Sequence, residues 1–408
     1  MPRKPRRVYI VRRIVAGVLA AAVLSAGIYL PLTLLAPLDA VAARILPVAE
    51  PQSEAVSPVF PEYGAAAIGA VGFEGVLASA GTDQPHPIAS ITKIITVLVA
   101  LEAMPLQPGE TGPVRVMTGA DEDYYWAQRA DGGSVVSAWA GLELSQLDVL
   151  RLVLMESANN YAQTLADWAY GSEAAFLQAT HDWLIAHGLQ ATTIVEPTGV
   201  DPRNAATTSD LVELGRIALT HPVVSQVVAT TAVEVAPFGL LENSNELLGI
   251  DGVDGIKTGT LDEAGSCLLF ATDVLVGEQS ITVVGVVLGG PDHDTINAHI
   301  RALLGSVTPG FQELELVTAG TPVARYETIW GDEAVAVTAS DASVLVWSQT
   351  PVSVLVEARE LTLATAGEQI GALEFVVDGR TISVPLVLEQ AIEDPGPWWR
   401  LLNPAELF

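Results

Sequence analysis

The sequence has only one cysteine among its 408 residues and is poor in basic residues. The single Cys267 excludes a disulfide within the chain. It stands in the apolar run 267–270, so we interpret it as a buried, inert thiol rather than as a nucleophile. Lys and Arg together number 19 against 48 Asp and Glu, which gives a net charge of −29.

The few basic residues are concentrated at the N-terminus. Residues 1–13 carry six of the 19 basic residues and no acidic residue, so the remainder of the chain carries a net charge of −35. A body this acidic repels phosphate backbones, which argues against nucleic acid as a partner. The composition fits an exposed, soluble domain behind a basic end.

An uncharged apolar stretch follows this basic end. A cleaved signal peptide has an apolar region of about 7 to 15 residues, whereas a membrane-spanning helix needs about 20. Residues 14–35 meet the longer length, although Pro31 is expected to kink or end the helix early. We therefore interpret residues 1–38 as a cytoplasmic basic end with one membrane anchor. The alternative is a cleaved signal and a secreted protein; in both cases the rest is exported. Residues 39–58, which contain three prolines, are predicted to form a linker.

Ser90 and Lys93 stand three residues apart at the front of a long apolar run. On a helix these two positions lie on one face, about one turn apart, and Pro87 marks the entry of that helix. A desolvated amine can be neutral and can take the proton of an adjacent hydroxyl. The pair therefore indicates a serine nucleophile with a lysine base. The alternative is a capping serine followed by a solvated lysine.

Two later motifs favour the catalytic interpretation of this pair. Ser-Ala-Asn stands at residues 157–159, and Lys-Thr-Gly-Thr stands at residues 257–260. Ser-x-x-Lys, Ser-Asp-Asn and Lys-Thr-Gly in this order form the signature of penicillin-binding proteins and class A β-lactamases. The second motif departs from that signature, because alanine replaces its central aspartate. The helical pattern places residues 157–159 at a turn between two helices, where an ordinary Ser/Asn turn is the alternative.

The residues around these motifs resemble one family, the low-molecular-mass penicillin-binding proteins that are serine D-alanyl-D-alanine carboxypeptidases. The resemblance covers roughly residues 60–305 and also rests on Glu-Pro-Thr-Gly-Val at 196–200 and Ala-Gly-Ser-Cys-Leu at 264–268. It implies a mixed α/β catalytic domain over residues 59–308, in which an antiparallel sheet is flanked by helices. In that fold, residues 257–260 would lie on a strand at the edge of the site.

The pattern changes after residue 308 to short Val-, Leu- and Thr-rich segments separated by turns. This spacing predicts a small all-β, sandwich-like domain over residues 309–392, and it holds no grouping of catalytic type. Residues 393–408 form a tail in which three prolines leave too little helix for an amphipathic membrane element. Contact between its tryptophans and the membrane interface is a minor alternative.

The resemblance implies a reaction and a set of site residues. Ser90 attacks the carbonyl between the last two D-alanines of a peptidoglycan stem peptide, and Lys93 serves as the base. Ser157 relays a proton to the leaving amine, while Asn159 orients Lys93 and binds the substrate amide. The terminal carboxylate is received by the third motif, whose residues are Lys257, Thr258, Gly259 and Thr260. The backbone amides of Ser90 and Thr260 form the oxyanion hole.

The same resemblance implies partners and leaves alternatives open. No metal or cofactor is required, and β-lactams are expected to act as inhibitors. A β-lactamase of the same fold is one alternative, because several glutamates between the second and third motifs could serve as a deacylation base: Glu173, Glu196, Glu213 and Glu234. A catalytically silent cell-wall binding protein is the other. Carboxypeptidase, endopeptidase and weak transpeptidase activities are not separated by the sequence.

Several other residues carry a functional and a structural interpretation. Tyr124, Tyr125, Trp126 and Trp139 are interpreted as local packing, with a groove for a glycan or peptide strand as the alternative. The sequence Asp-His-Asp at 292–294, followed by a second histidine at 299, fits no metal-ligand spacing. We therefore expect these to be exposed polar residues at the start of a closing helix.

Overall fold

The structure, a computed structural model, describes residues 6–408, so Arg3 and Lys4 of the basic end lie outside the described residues. The chain separates into two compact units. We call Ala55–Phe311 the α/β unit. We call the remainder, Met1–Glu54 with Gln312–Phe408, the β unit.

Helices and strands are interspersed up to residue 307, and strands predominate after it. The α-helices in residues 6–408 are α1 (Arg6–Leu34), α2 (Thr92–Ala103), α3 (Gly119–Ala130), α4 (Gln146–Leu154), α5 (Asn159–Tyr170), α6 (Glu173–Ala186), α7 (Thr208–Thr220), α8 (Pro222–Val228), α9 (His293–Val307) and α10 (Gly396–Leu402). The strands in the same residues are β1 (Arg44–Ile45), β2 (Ala65–Ala70), β3 (Ala78–Ala80), β4 (His86–Pro87), β5 (Val114–Val116), β6 (Glu143–Ser145), β7 (Ala205–Ala206), β8 (Ala232–Val235), β9 (Gly239–Glu242), β10 (Val253–Leu261), β11 (Gly265–Val276), β12 (Gln279–Gly290), β13 (Phe311–Val317), β14 (Pro322–Glu327), β15 (Glu333–Thr338), β16 (Ala342–Trp347), β17 (Val352–Ala358), β18 (Gln369–Val377) and β19 (Arg380–Leu388).

The α/β unit is built on a five-stranded antiparallel sheet in the order β10-β11-β12-β2-β3. Strands β11 and β12 pair antiparallel on either side of residues 277–278 and form a hairpin. Most of β11 is buried residue after residue instead of alternating, as expected of a strand whose two faces are both covered. Helices α7 and α9 pack on this sheet. The antiparallel sheet flanked by helices is therefore confirmed.

Helix α2 is the centre of the main core of the α/β unit. It is apolar around its circumference, and residues Thr92–Leu101 are all buried, which is the pattern of a helix surrounded by other elements. Helices α4, α5, α6 and α7 pack around it. The start of α2 is therefore held rigidly, and this start carries the candidate nucleophile.

The β unit contains a six-stranded sheet in the order β1-β14-β15-β19-β18-β17 and a two-stranded sheet of β13 with β16. Side chains of both sheets, among them Leu316, Val346 and Phe375, share one apolar core. Alternating burial along β15 and β19 gives each strand a core face and an outer face. The all-β character expected after residue 308 is thus observed.

Residues 39–54 form part of the β unit, although the sequence predicts a linker over 39–58. Arg44 pairs with Arg325 across β1 and β14, and Val41 forms an isolated bridge with Leu361. Burial of Val41 and Val48 against the apolar core accounts for this order. Prolines in the segment suggested a free connection, but its hydrophobic residues provide the contacts that fix it.

Helix α1 is long and apolar enough to cross a membrane, with a mean hydropathy of 2.1 and no burial in its most apolar window. Pro31 does not end it, since the helix continues to Leu34 and the Leu35 amide donates to the Pro31 carbonyl at 3.1 Å. The hydroxyl of Thr33 donates to the Tyr29 carbonyl at 2.8 Å, which supports the last turn. The helix is therefore of sufficient length for either an anchor or a signal sequence.

Candidate active site

Ser90 lies in a single 3₁₀ turn, Ala89–Ile91, that leads directly into α2. Lys93 is in the first turn of α2, and its Nζ lies 2.8 Å from Ser90 Oγ. Ala89, which precedes the serine, has φ +45°, a left-handed conformation that costs a non-glycine residue energy. The structure thus brings together the first two predicted residues and holds the serine in a strained turn.

Lys93 is completely buried in the packed start of α2. Burial lowers its pKa well below the ordinary value, the Lys257 cation lowers it further, and Glu196 opposes them. The carbonyl of Thr198 accepts from Lys93 Nζ at 2.6 Å, so the amine is held on two sides. A neutral amine beside a hydroxyl can act as a general base.

The loop at 196–204 fixes that carbonyl, and Glu196 organises the loop. Its two carboxylate oxygens accept from the backbone amides of Thr198 and Gly199 at 2.7 and 2.6 Å, and from Asn204 Nδ2 at 2.8 Å. Gly199 has φ +91°, and a Cβ there would lie 2.0 Å from the Ala89 carbonyl oxygen. Only glycine allows the loop to approach the nucleophile turn this closely.

The second motif occupies the turn between α4 and α5, as predicted. Ser157 is nearly buried and has φ +57°. Asn159 begins α5; its backbone amide donates to the Ser134 carbonyl, and its Nδ2 donates to Gln128 Oε1 at 3.0 Å. The role expected for Asn159, orienting Lys93, is therefore left to its Oδ1 and stays a prediction.

The third motif lies on the edge strand β10, where Gly259 is opposite Cys267 of β11. A Cβ on Gly259 would lie 3.2 Å from the Ser90 amide nitrogen and 3.1 Å from the Ile88 carbonyl oxygen. Glycine therefore allows β10 to pass directly beside the nucleophile turn. Lys257 is buried, and burial lowers its pKa to about 7.

Two polar residues outside the predicted site residues contact the third motif. Ser244 Oγ lies 2.9 Å from Thr258 Oγ1, and its backbone amide donates to the Met155 carbonyl beside the second motif. His293 Nε2 lies 2.8 Å from Thr260 Oγ1. His293 was expected to be an exposed residue at a helix start; it does begin α9, but its ring is partly buried against β10. No short motif marks either residue, because both contacts join segments far apart in the chain.

The remaining candidates lie in packed surroundings. Cys267 is buried, and burial raises its pKa to about 11, so the thiol is inert as predicted. Trp139 packs edge-on against Phe238, and Tyr125 against Trp126. Trp126 and Trp139 nevertheless leave 56% and 43% of their surface exposed. Within residues 6–408, no cluster of three or more His, Cys, Asp or Glu is arranged to hold a metal ion.

Comparison with known proteins identifies relatives. The model of the D-alanyl-D-alanine carboxypeptidase family matches residues 70–292. A D-alanyl-D-alanine endopeptidase of Pseudomonas aeruginosa is 32% identical over 213 residues, which are 49% of this chain and 63% of the relative. The D-alanyl-D-alanine carboxypeptidase DacC of Escherichia coli is 28% identical over 342 residues, 80% of this chain and 83% of the relative.

Solved structures resemble the fold over most of the chain. A peptidoglycan synthesis regulatory factor (PBP3) from Streptococcus pneumoniae superposes with a TM-score of 0.60 and 21% identity, covering 82% of this chain and all of that one. Penicillin binding protein 5 from Haemophilus influenzae superposes with a TM-score of 0.57 and 20% identity, covering 85% of this chain and all of that one. At these identities the superpositions establish the fold.

Proposed function

This chain belongs to the D-alanyl-D-alanine carboxypeptidase family and is a serine peptidase, and we propose that it removes the terminal D-alanine from peptidoglycan stem peptides through an acyl-enzyme on Ser90. The observation that carries this proposal is the distance of 2.8 Å between Lys93 Nζ and Ser90 Oγ, with the amine completely buried. A serine in contact with a desolvated amine is the arrangement that nucleophilic acyl transfer requires.

The reaction proceeds in two transfers of the acyl group. Ser90 Oγ bonds to the carbonyl carbon of the penultimate D-alanine while its proton passes to Lys93 Nζ. The C–N bond to the terminal D-alanine then breaks, and the leaving amine takes a proton through Ser157. Water attacks the resulting ester, which releases the shortened peptide and restores Ser90. The backbone amides of Ser90 and Thr260 stabilise the oxyanion in both steps.

Substrate recognition is assigned to the edge strand β10. The terminal carboxylate binds between Lys257, Thr258 and Thr260, and Gly259 keeps the strand beside the nucleophile turn. Asn159 contacts the substrate amide. A penicillin offers a strained amide and a similarly placed carboxylate, so β-lactams are expected to acylate Ser90 and to be released slowly.

Hydrolysis of β-lactams as the main activity is disfavoured by the position of Glu196. Both of its carboxylate oxygens are occupied by donors of its own loop, so it is not free to activate water. Glu213 is likewise paired with Arg216 on α7. Endopeptidase activity is the second candidate, because a named endopeptidase is among the relatives with more than 30% identity.

Mass spectrometry of the intact protein after incubation with benzylpenicillin tests the proposal. We expect one adduct, mapped to the peptide that contains Ser90, and none in Ser90→Ala. Free D-alanine released from a D-Ala-D-Ala peptide would establish the carboxypeptidase, whereas cleavage of a cross-linked peptide dimer alone would establish the endopeptidase. An adduct on another peptide, or rapid penicillin turnover without an adduct, would contradict the mechanism.

We further propose that α1 is a retained anchor that places the α/β unit, and the part of the β unit after α1, outside the cell. In the β unit, the hydroxyl of Tyr29 donates to the Leu401 carbonyl and Arg400 donates to the Ala36 carbonyl, each at 2.6 Å. Cleavage after α1 would remove these contacts with the tail. N-terminal sequencing of the mature protein should find the segment intact, and protease added to spheroplasts should degrade both units. Protection of the α/β unit would contradict export.

A further inference from the structure

We propose that His293 is a positioning residue that keeps the hydroxyl proton of Thr260 directed to the substrate carboxylate. The inference rests on the proposed function, in which Thr260 receives that carboxylate. It assigns a part in substrate selection to a residue that lies outside all three motifs and on a different element, α9. His293 acts through Thr260 and does not itself take part in bond making.

The geometry places His293 directly behind the carboxylate site. Its Nε2 lies 2.8 Å from Thr260 Oγ1, and Thr260 itself is exposed on the edge strand. His293 is the first residue of α9, and the preceding Asp292 caps that helix through the Thr295 amide at 2.7 Å. The ring is therefore attached to a capped helix start and not to a free loop.

The hydrogen-bonding capacity of the pair allows two arrangements. If Nε2 carries the imidazole proton, it donates to Thr260 Oγ1 and leaves the hydroxyl proton of Thr260 free for the substrate. If Nε2 is unprotonated, Thr260 donates to it and has no proton left for the carboxylate. Because a carboxylate can only accept, it binds productively to the first arrangement alone.

The other ring nitrogen favours the same arrangement. Nδ1 of His293 is buried and has no hydrogen-bond partner among the described residues. A proton on Nδ1 would therefore be a buried donor without an acceptor, which carries a desolvation penalty. A lone pair at this position is desolvated as well, but unpaired buried acceptors are less rare in proteins than unpaired buried N–H groups. We therefore infer that Nε2 carries the proton in the neutral ring.

The charged groups around the ring leave it neutral. Burial is the largest influence on the His293 ring and lowers its pKa. The charge of Lys257 lowers this pKa further, whereas the carboxylates of Glu246, Asp292 and Asp294 raise it. The net effect is a lowered pKa. The positive charge of the proposed carboxylate site therefore comes from Lys257, whereas the neutral His293 orients the hydroxyl proton of Thr260. A site that presents a fixed donor rejects a ligand that lacks the matching acceptor.

The tautomer can be measured without any activity. Nitrogen chemical shifts of the imidazole in ¹⁵N-histidine-labelled protein, assigned with His293→Gln, report which nitrogen is protonated. We expect the Nε2–H tautomer at pH 7.5. An Nδ1–H tautomer or a charged ring would overturn the proposal, whether or not the protein is acylated by penicillin.

Kinetics then test the consequence for substrate selection. His293→Leu should slow acylation by benzylpenicillin roughly 10-fold, a factor that corresponds to one lost hydrogen bond. It should slow acylation by the penicillin methyl ester less, because a hydrogen bond to an uncharged ester carbonyl is weaker than one to a carboxylate. His293→Gln, which keeps a donor near the Nε2 position, should stay within about threefold of the native rate. His299→Leu, on the same helix but bonded to Tyr63, is the matched control and should have no effect.

A double-mutant cycle separates positioning from a general structural role. Because His293 acts through the hydroxyl, His293→Leu should add nothing to Thr260→Val. Additive losses, equal losses with the acid and the ester, or an unaltered rate in a folded His293→Leu protein would each overturn the proposal. Absence of any Ser90 adduct in the native protein would instead count against the proposed function, and the tautomer would still decide the role of His293.

Discussion

The two units differ most in what they bury. Among the described residues, both completely buried lysines, Lys93 and Lys257, belong to the α/β unit and lie around one serine. The core of the β unit is formed by apolar side chains such as Phe375 and Leu386. Burying an amine is costly unless the group becomes neutral or finds partners. The α/β unit therefore carries an energetic cost at one place, and we propose that this cost supports the chemistry.

Loss of the buried base should have the largest effect. Lys93→Ala should slow acylation by penicillin roughly 10²- to 10⁴-fold, the range for removing a general base. Lys93→Arg should not restore the rate, because a guanidinium stays charged. Stopped-flow or mass-spectrometric acylation rates provide the measurement. A Lys93→Ala protein that reacts at the native rate would remove Lys93 from the mechanism.

Disrupting the loop at 196–204, which supports Lys93, should have the second largest effect on the acylation rate. Glu196→Gln places an amide donor opposite the donors of Thr198, Gly199 and Asn204, so we expect acylation to slow about 10-fold and the protein to lose roughly 1–3 kcal/mol of stability. The matched control is Glu213→Gln on α7. If the two variants behave alike in kinetics and in denaturant titration, the loop does not position Lys93.

Lys257 should set the alkaline limb of the pH profile. In the proposed mechanism it binds the carboxylate only while charged, and burial lowers its pKa to about 7, so kcat/KM should fall as pH rises through that value. Lys93 must be neutral, so its protonation should reduce kcat/KM on the acid side. In Lys257→Arg the alkaline limb should move to higher pH. If the alkaline limb of the pH profile is the same in Lys257→Arg as in the native protein, another group causes that limb.

Replacing Lys93 by an apolar residue should stabilise the fold even though it lowers the acylation rate. Burial lowers the pKa of Lys93 well below its ordinary value, so at pH values below that ordinary pKa the unfolded chain binds the lysine proton more tightly than the folded chain does, and folding is opposed. Lys93→Met should therefore raise the unfolding midpoint by a few degrees at pH 7. The gain should shrink as pH approaches the ordinary lysine pKa, because the unfolded lysine then loses its proton as well. Calorimetry at two pH values measures this, and a constant difference would contradict it.

Removal of the β unit should have the smallest effect on the acylation rate. The contacts described for Ser90, Lys93 and Lys257 are all made within the α/β unit, so a protein of residues 55–311 should be acylated at the native rate. Its folded state is checked by circular dichroism before the rates are compared. A folded fragment that is not acylated would show that the β unit contributes to the site.

The sequence was most informative where function depends on residues close together in the chain. Ser90 and Lys93 are one helical turn apart, so their pairing and the packed helix behind them could be predicted. Ser244 and His293 could not, because they contact residues 14 and 33 positions away on β10. Glu196 holds its own loop, but the Thr198 carbonyl of that loop contacts Lys93, which is 105 positions away. Their contacts depend on how elements pack, which periodicity does not encode.

Local propensity also failed at two positions of the β unit. Pro31 predicts a kink or an early end of α1, and the helix does not end there but continues to Leu34. The prolines of 39–58 predict a linker, yet Val41 and Val48 pack on the β core. Tertiary contacts outweigh local preference in residues 39–54, whereas α1 continues past Pro31 through hydrogen bonds of its own last turn.

The pairing of β1 with β14 has a consequence for how the protein assembles. Arg44 of β1 pairs with Arg325 of β14. The sheet of the β unit can therefore form only after residues 55–311 have been synthesised, because its other strands follow them in the chain. Contacts that span such a separation form late, whereas the α/β unit is continuous and can fold as soon as it emerges. We expect β1 to remain unpaired during synthesis until β14 has been made. The site is then completed before the unit that encloses it in the chain.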